Sequence, residues 1–278
     1  MKRTTRMEIA QETVKIVEQG SYISGQGDTV EIAEQVQSCN EQTRLFSPTE
    51  LKRLRNDVLA NSTGNATTVC EVVNETTLSG IARLLSEGSE PVAALNFASA
   101  KNPGGGFLNG SQAQEESLAR SSSLYSSLLQ AWDFYEQHRA SPSLVYSDTI
   151  ILSPDCPLFR DDEGSLLEKP QKVTFITCAA PNAGAAANNR PAELSVIPDI
   201  FLRRAEYILA VAAAHGYKRL VLGAWGCGVF RNDPTVVAEA FASHLRGIWV
   251  GRFEKVVFSV LDASATRETF DAFQSALG

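Results

Sequence analysis

From residue 68 onward, the chain alternates apolar, strand-like stretches with amphipathic, helix-like stretches. Strands apolar along their whole length are typical of a sheet buried on both faces, and the amphipathic stretches predict the covering helices. This alternation predicts an α/β fold. The predicted strands lie in "TVCEVVNE", "PVAALNFAS", "LVYSDTIILS", "KVTFITCAA", "RLVLGAWG" and "KVVFSVLD", and the predicted helices in "TTLSGIARLLSEG", residues 114–138, "IPDIFLRRAEYILAVAAAHG" and "DPTVVAEAFASHLRG".

The N-terminal part does not show this alternation of strands and helices. Residues 5–19 and "SPTELKRLRNDVLA" read as helices, whereas "SYIS" and "TVEIAEQV" read as strands. The turn-rich "NSTGNATT", residues 61–68, separates this part from the alternating region. We therefore expect an N-terminal accessory segment, residues 1–62, packed on a catalytic domain formed by residues 63–278.

Charge and composition exclude several classes of protein. The chain has 278 residues, 44% of them hydrophobic, and a formal net charge of −7. Such a chain can bury a large core but has no overall positive field to attract nucleic acid, so local backbone groups must hold any anionic ligand. It shows neither an apolar run long enough to cross a membrane nor a secretory signal.

Cysteine and histidine usage indicates neither disulfides nor a metal centre. The five cysteines are an odd number without C-x-x-C spacing, and there are only three histidines. We expect reduced cysteines in a cytoplasmic, monomeric protein with neither metal nor cofactor.

Two glycine-rich segments follow predicted strands. "NPGGG" comes after "PVAALNFAS", and "GAWGCGVF" comes after "RLVL". In such sheets ligands bind beyond the carboxyl ends of the strands, and glycines let backbone N–H groups approach an anion. Two such loops at one edge of the sheet would suit a diphosphate, although tight strand-to-helix turns would also explain them. The first loop has neither the spacing of a dinucleotide-binding fingerprint nor the lysine of a P-loop.

Adjacent glutamates follow the first glycine loop. Ser111 and Gln114 have the spacing of a capping box, which predicts a helix with Ser111 as its N-cap and Glu115 and Glu116 in its first turns. Neighbours on a helix point about 100° apart, so the two carboxylates must do different work. A helix N-terminus favours an ionised carboxylate, so a general acid here needs burial to raise its pKa. Alternatively, the glutamates only stabilise the helix start.

The segment from Gly104 to Glu116 reads GGG, seven residues, then QEE. This pattern resembles the signature of bacterial-type poly(ADP-ribose) glycohydrolases. "GAWGCGVFRNDP", "SPDCPLFRDDEG" and "TCAAPNAGA" also resemble that family, and the similarity extends over roughly residues 60–265. It implies a macrodomain-like, three-layer α/β/α fold with a mixed, mostly parallel central sheet, plus an N-terminal helical accessory segment.

The resemblance also implies the site residues. Glu116 corresponds to the catalytic acid, and Glu115 to its partner that positions the substrate ribose. The implied substrate-binding residues are Asn102, Gly104, Gly105, Gly106 and Gln114 in the first loop and motif, and Gly226, Cys227, Gly228, Val229 and Phe230 in the second loop.

The implied reaction is hydrolysis of the ribose–ribose O-glycosidic bonds of poly(ADP-ribose), with ADP-ribose as product and the polymer or an ADP-ribosylated protein as partner. Two alternatives stay open: a mono-ADP-ribosyl hydrolase acting on protein or nucleic-acid adducts, and a non-catalytic ADP-ribose-binding macrodomain. The second would need neither glutamate.

Three further segments have structural interpretations. Trp225 is expected to pack against the strands rather than to stack on a base. "FRDDEG", with Arg160, is expected to be a solvated turn or a loop over the pocket. The stretch around Asn182, Asn188, Asn189 and Arg190 is expected to be a loop and a candidate ligand-covering flap.

Overall fold

A computed structural model describes residues 1–61 and 67–278 of the chain. Its centre is a seven-stranded sheet in the order β3-β6-β7-β5-β8-β9-β4. The strands from β7 to β4 run parallel to one another, whereas β6 runs antiparallel to both of its neighbours. The sheet is therefore mixed and mostly parallel, as predicted. Its strands are β3 (Arg44–Phe46), β4 (Val69–Val73), β5 (Val92–Ala98), β6 (Ile150–Arg160), β7 (Leu166–Ala179), β8 (Arg219–Gly223) and β9 (Lys255–Ser259).

Helices cover both faces of this sheet. The central strands alternate their side chains between two cores: Leu220 and Leu222 enter one, and Val221 enters the other. The first core is closed by α3 (Pro48–Asn61), α9 (Ile197–Ala214), α10 (Pro234–Arg246) and α11 (Glu268–Leu277). The second is closed by α2 (Ala33–Gln42), α4 (Thr77–Ser86), α5 (Gln114–Ser121), α6 (Leu124–Gln130) and α7 (Trp132–Ala140). This gives the expected three-layer α/β/α architecture.

The N-terminal residues form part of both the helical layers and the sheet. Helix α1 (Arg3–Gln19) leads into a two-stranded sheet of β1 (Ser21–Ile23) and β2 (Thr29–Glu31). Strand β3 then pairs antiparallel with β6 and forms one edge of the central sheet. The predicted domain boundary between residues 62 and 63 lies outside the described residues.

One predicted strand and one predicted helix differ from the structure. "TVEIAEQV" forms a strand only over β2, because Val36 and Cys39 further along are buried on one face of helix α2. The single helix predicted over 114–138 is three helices. Ser122 has extended backbone and bridges to Leu158, while its hydroxyl donates to the Leu118 carbonyl at 2.7 Å, so the serine competes with the helical hydrogen bonds.

Strand β6 continues through two prolines. Its register with β7 shifts between Ser153 and Cys156, and this bulge accommodates Pro154. The long β6–β7 hairpin then extends beyond β5 and packs against α1. The prediction of a solvated turn is wrong for Arg160, which is 2% exposed and donates to Glu12 Oε2 at 2.6 Å.

All five cysteines are free thiols. None of the helices formed by the described residues is long and apolar enough to cross a membrane.

Candidate active site

The triple-glycine segment leaves β5 and turns sharply toward α5. Gly104 and Gly105 have φ angles of 67° and 61°, a left-handed conformation that favours glycine. The Gly105 N–H donates to the Asn102 carbonyl at 2.9 Å, which closes the turn. A Cβ atom on Gly105 would lie 2.4 Å from Glu116 Oε1. Glycine therefore lets the loop backbone pass directly against the carboxylate.

Glu116 lies at the mouth of this loop. Its Oε1 accepts a hydrogen bond from the Gly106 N–H at 3.0 Å, and the residue is half-buried. The carboxylate is thus held by the glycine backbone at the loop that follows β5. A ligand bound at this loop would cover it.

Glu115 lies in a different environment, 3% exposed. Its Oε1 accepts from Asn96 Nδ2 at 3.2 Å, and its Oε2 accepts from the Ser99 N–H at 2.7 Å. Burial raises the pKa of Glu115 to about 8, against the opposing effect of these hydrogen bonds, and the charge of Glu116 adds to the rise. The two carboxyls therefore differ in surroundings, as their helical spacing predicts.

The predicted capping box does not form. The N-cap of α5 is Ala113, without a side-chain cap. Gln114 Oε1 instead accepts from the Phe97 N–H at 2.9 Å, and its Nε2 donates to the Leu95 carbonyl at 2.8 Å. A side-chain amide can accept and donate at once, so Gln114 ties the start of α5 to strand β5. Ser111 lies outside the helix, its N–H donating to the Gly106 carbonyl at 3.1 Å.

The second glycine loop lies beside the first, because β8 is the parallel neighbour of β5. Gly226 has a φ of 77°, and a Cβ atom there would lie 2.5 Å from the Ala180 Cβ. Asn232 Nδ2 donates to the Gly226 carbonyl at 2.9 Å and to the Pro181 carbonyl at 2.7 Å, which holds the base of the loop. At its tip, Val229 is 80% exposed.

Phe230 ends this loop against an aromatic cluster. Its ring centroid lies 6.2 Å from that of Tyr146, which in turn lies 5.5 Å from the His138 ring. The Phe230 carbonyl accepts from the Gly184 N–H at 2.9 Å. Tyr146 has a φ of 58°, so its packing holds a strained backbone beside the site.

Trp225 and Cys227 of the second loop have structural surroundings. Trp225 is fully buried and donates from Nε1 to the Cys178 carbonyl at 2.9 Å, so the expected strand packing is confirmed. Cys227 is half-buried, and burial raises the pKa of its thiol to about 12. A protonated thiol is a poor nucleophile, so Cys227 contributes its backbone and its bulk.

Helix α1 braces the far end of the first loop. Arg3 Nε donates to the Asn109 carbonyl at 3.0 Å, and Arg6 Nε donates to the Gly110 carbonyl at 2.8 Å. Gly110 has a φ of 72°, and a Cβ atom there would lie 2.5 Å from the Arg3 carbonyl oxygen. The N-terminal helix and the loop backbone are therefore in direct contact.

The expected flap after β7 is not a loop. Residues Ala183–Asn189 form helix α8, and the Asn182 side chain caps it by accepting from the Ala185 N–H at 3.0 Å. Asn188 and Asn189 bond to carbonyls of the same helix, so the helix satisfies the polar side chains that suggested a flap.

The sequence interpretation missed Asn96, Asn232 and Arg6. Asn96 carried a usable signal, since it is the one amide in the apolar strand "VAALNFA" and is fully buried. Arg6 carried none, because its partner Gly110 lies 104 residues away.

Among the described residues, no group of three or more His, Cys, Asp or Glu side chains is placed to hold a metal ion. A groove of about 940 Å³ between α10 and α11 contains none of the predicted site residues.

A three-layer α/β/α sandwich, with two glycine loops on adjacent strands and a carboxyl pair on the following helix, defines a macrodomain-like class of protein. A family model described as "Microbial-type PARG, catalytic domain" matches residues 10–161. No curated protein matched the chain.

Solved structures give the same assignment. The poly(ADP-ribose) glycohydrolase of Thermomonospora curvata is 46% identical, with a TM-score of 0.94 over 99% of this chain and 100% of that one. The same enzyme bound to the inhibitor ADP-HPD has a TM-score of 0.91, at 46% identity over 98% and 99% of the two chains. The enzyme of Deinococcus radiodurans in complex with ADP-ribose is 47% identical, with a TM-score of 0.81 over 87% of this chain and 96% of that one.

This chain belongs to the microbial-type poly(ADP-ribose) glycohydrolases. The resemblance drawn from the GGG and QEE segments is confirmed. Because the members of this family are glycosidases, this assignment argues against the alternative of a non-catalytic ADP-ribose-binding macrodomain.

Proposed function

We propose that this chain hydrolyses the ribose–ribose O-glycosidic bonds of poly(ADP-ribose), with Glu116 as the general acid and base. The observation that carries the proposal is the contact between the half-buried Glu116 carboxylate and the Gly106 N–H. It puts the one partly open carboxyl of the pair beside the loop suited to a diphosphate. Related enzymes in complex with ADP-HPD and with ADP-ribose support the same substrate class.

The diphosphate of one ADP-ribose unit lies between the two loops. Gly104, Gly105 and Gly106 approach it from β5, and residues 226–229 approach it from β8. The Gly105 and Gly106 N–H groups already donate to the Asn102 carbonyl and to Glu116, so the first loop lets the anion approach closely because it lacks Cβ atoms. Backbone N–H groups of the second loop bind the anion without lysine. This explains how a chain of net charge −7 binds a polyanion.

Phe230 and Asn102 position the distal ribose in this arrangement. The Phe230 ring packs against Tyr146, which packs against His138, so the position of the phenyl ring is fixed. A fixed ring limits the orientations that the ribose can take. Gln114 serves the same site indirectly, because both ends of its amide bind strand β5.

In the proposed mechanism Glu116 is the proton donor. It donates its proton to the leaving ribose oxygen as the glycosidic bond breaks, and positive charge develops at the anomeric carbon. The nearby diphosphate stabilises that charge. The Glu116 carboxylate then takes a proton from the water that attacks the anomeric carbon. One water is consumed, ADP-ribose is released and Glu116 is again protonated.

Glu116 suits this role better than Glu115 for a geometric reason. Both oxygens of Glu115 already bind Asn96 and Ser99, and the residue is 3% exposed. A buried carboxyl with two internal partners is placed to orient a sugar hydroxyl and the loop. It is not placed to reach a leaving oxygen above the loop.

The direct test is Glu116→Gln, which keeps size and hydrogen bonding but removes the transferable proton. We expect release of ADP-ribose from polymer to fall by about 10²–10⁴-fold, since that is the usual contribution of one acid. Binding of ADP-ribose, measured by calorimetry, should change little.

Glu34→Gln is a matched control, because Glu34 is an exposed glutamate in the first turn of α2. It should keep wild-type turnover. A Glu116→Gln variant that is as active as this control would remove Glu116 from the mechanism.

We further propose that residues 1–62 act as an accessory segment for a catalytic domain formed by residues 63–278. The bonds from Arg3 and Arg6 to the first glycine loop support this division of roles. The free thiols support a reducing, cytoplasmic location. We expect a monomer, which light scattering would test.

A further inference from the structure

A buried arginine lies at the carboxyl end of β7. Arg204 projects from α9 and is 1% exposed. The side chains buried next to it on the same helix, Phe201, Ala205 and Ile208, are apolar. Burying a cation is costly unless its charge and its N–H groups find partners, and an apolar residue would avoid that cost. The partners of Arg204 therefore show what this side chain holds in place.

Arg204 binds one carboxylate and three backbone carbonyls. Its Nε donates to Asp148 Oδ1 at 2.8 Å, and its Nη1 donates to the Ala179 carbonyl at 2.8 Å. Its Nη2 donates to the carbonyls of Val145 and Tyr146 at 2.7 and 3.0 Å. The planar guanidinium therefore ties the end of β7 to the segment between α7 and β6, which lies outside helices and strands.

Tyr146 is held in this segment in a conformation that a residue with a Cβ rarely adopts. Its φ of 58° is left-handed, and such strain persists only where the surrounding contacts fix it. Arg204 binds its carbonyl, and its ring packs between those of His138 and Phe230, at centroid distances of 5.5 and 6.2 Å. Rotation about φ re-aims a side chain, so the left-handed conformation decides where the Tyr146 ring lies.

We propose that Arg204 is a positioning residue for the reaction, because it holds Tyr146 in the conformation in which the Tyr146 ring fixes the Phe230 ring. Arg204 acts on the distal ribose through these two aromatic residues and does not touch the sugar itself. The strained backbone is thus the means by which a buried cation sets the position of an aromatic ring at the site. The inference rests on the proposed function, since the position of Phe230 affects turnover only if this ring packs on the ribose.

The neighbouring arginine on α9 separates the ion pair from the support of Tyr146. Arg203 binds the same carboxylate, with Nε donating to Asp148 Oδ2 at 2.6 Å and Nη2 donating to Oδ1 at 3.2 Å. Its side chain is 43% exposed, and both of these hydrogen bonds go to Asp148. The two arginines thus share an anion, whereas the contacts with the backbone carbonyls belong to Arg204. Arg203 is therefore a matched control for Arg204.

The test compares Arg204→Lys with Arg203→Lys. Lysine keeps the charge opposite Asp148 but lacks the planar fork that binds the carbonyls. For Arg204→Lys we expect kcat for ADP-ribose release from polymer to fall about tenfold, because the ribose loses its orientation. Binding of ADP-ribose, measured by calorimetry, should change by less than about threefold, because the glycine loops still hold the diphosphate. Arg203→Lys should keep the wild-type kcat.

Removing the Phe230 ring separates positioning from a general structural role. If Arg204 acts through Phe230, Arg204→Lys has no ring to misplace in a Phe230→Ala background, so adding it there should change kcat by less than about twofold. A merely structural role would lower kcat by the same factor in both backgrounds. Melting curves for all variants show whether each of them is folded.

Three results would overturn the proposal: a wild-type kcat in folded Arg204→Lys, an equal loss of kcat in Arg203→Lys, or the full loss in the Phe230→Ala background. If Arg204→Lys does not fold, Arg204→Met replaces it in both backgrounds with the same expectations, because an unbranched apolar side chain suits the surrounding core. Failure of the proposed function would look different, because the wild type would then release no ADP-ribose from polymer, or Phe230→Ala alone would leave kcat unchanged.

Discussion

The two glycine loops leave neighbouring strands at the same edge of the sheet, yet they are held very differently. The first is fixed along its length: Glu116 binds the Gly106 N–H, and Arg6 binds the Gly110 carbonyl. The second is fixed at its base by Asn232, while Val229 at its tip is 80% exposed. The difference indicates a division of labour. This difference fits the proposed roles, in which the first loop positions the Glu116 carboxylate and the second loop offers N–H groups to an anion.

The largest expected effect is a contrast between one glycine in each loop. A Cβ on Gly105 would lie 2.4 Å from Glu116 Oε1, and its φ is 61°, whereas a Cβ on Gly228 would meet nothing within 4 Å. Gly105→Ala should therefore lower kcat by about 100-fold or more, because the carboxylate is displaced. Gly228→Ala should keep the melting temperature and weaken ADP-ribose binding by about tenfold, because in the proposed arrangement the new methyl group would face the diphosphate.

Steady-state kinetics, melting curves and calorimetry on both variants check this contrast. It fails if Gly105→Ala turns over like the wild type. It also fails if Gly228→Ala lowers the melting temperature as much as Gly105→Ala does.

A smaller effect is expected from the brace on the first loop. Arg6→Ala removes the charged donor to the Gly110 carbonyl, which lies 2.8 Å from Arg6 Nε. We expect kcat to fall about five- to tenfold with KM nearly unchanged, since the loop loses rigidity but keeps its binding groups. Lys15→Ala is the control, because it removes an equal charge from an exposed position on the same helix. Equal kinetics in the two variants would show that α1 does not hold the loop.

The smallest effect concerns salt. If backbone groups of both loops hold the diphosphate, raising the salt from about 50 to 200 mM should weaken ADP-ribose binding by only about threefold or less. Proteins that neutralise several phosphates with cations lose about 10³–10⁵-fold over the same range. Calorimetric titrations at several salt concentrations measure this slope. A steep slope would reveal a cationic groove that the two loops do not provide.

Much of the fold could be predicted, because periodicity in the sequence reports burial directly. The strands β4, β5, β8 and β9 lie within the predicted apolar stretches. The prediction of one helix over 114–138 is wrong at Ser122. The Ser122 hydroxyl donates to the Leu118 carbonyl, and its backbone bridges to Leu158, and these contacts end the helix despite the periodic sequence. Such competition depends on a distant strand, and local patterns do not contain it.

The site, like the fold, has residues that could be predicted from the sequence and residues that could not. The glycine and glutamate spacing indicated both loops and the carboxyl pair, since these residues are close in sequence. The contact of Asn96 with Glu115 and that of Arg6 with Gly110 depend on how strands and helices pack. The predicted capping box does not form because the Gln114 side chain binds the backbone of β5 instead of the start of its own helix.

The contact between α1 and the first loop also bears on how activity is lost on heating. Helix α1 buries only Ala10, Thr13 and Ile16, and a helix with so few buried side chains detaches at a lower free energy than the sheet unfolds. When it detaches, Gly110 loses its partner while both cores remain packed. We therefore expect heat inactivation to begin below the melting midpoint and to reverse on cooling, so that detachment of this one helix sets the thermal limit of the enzyme.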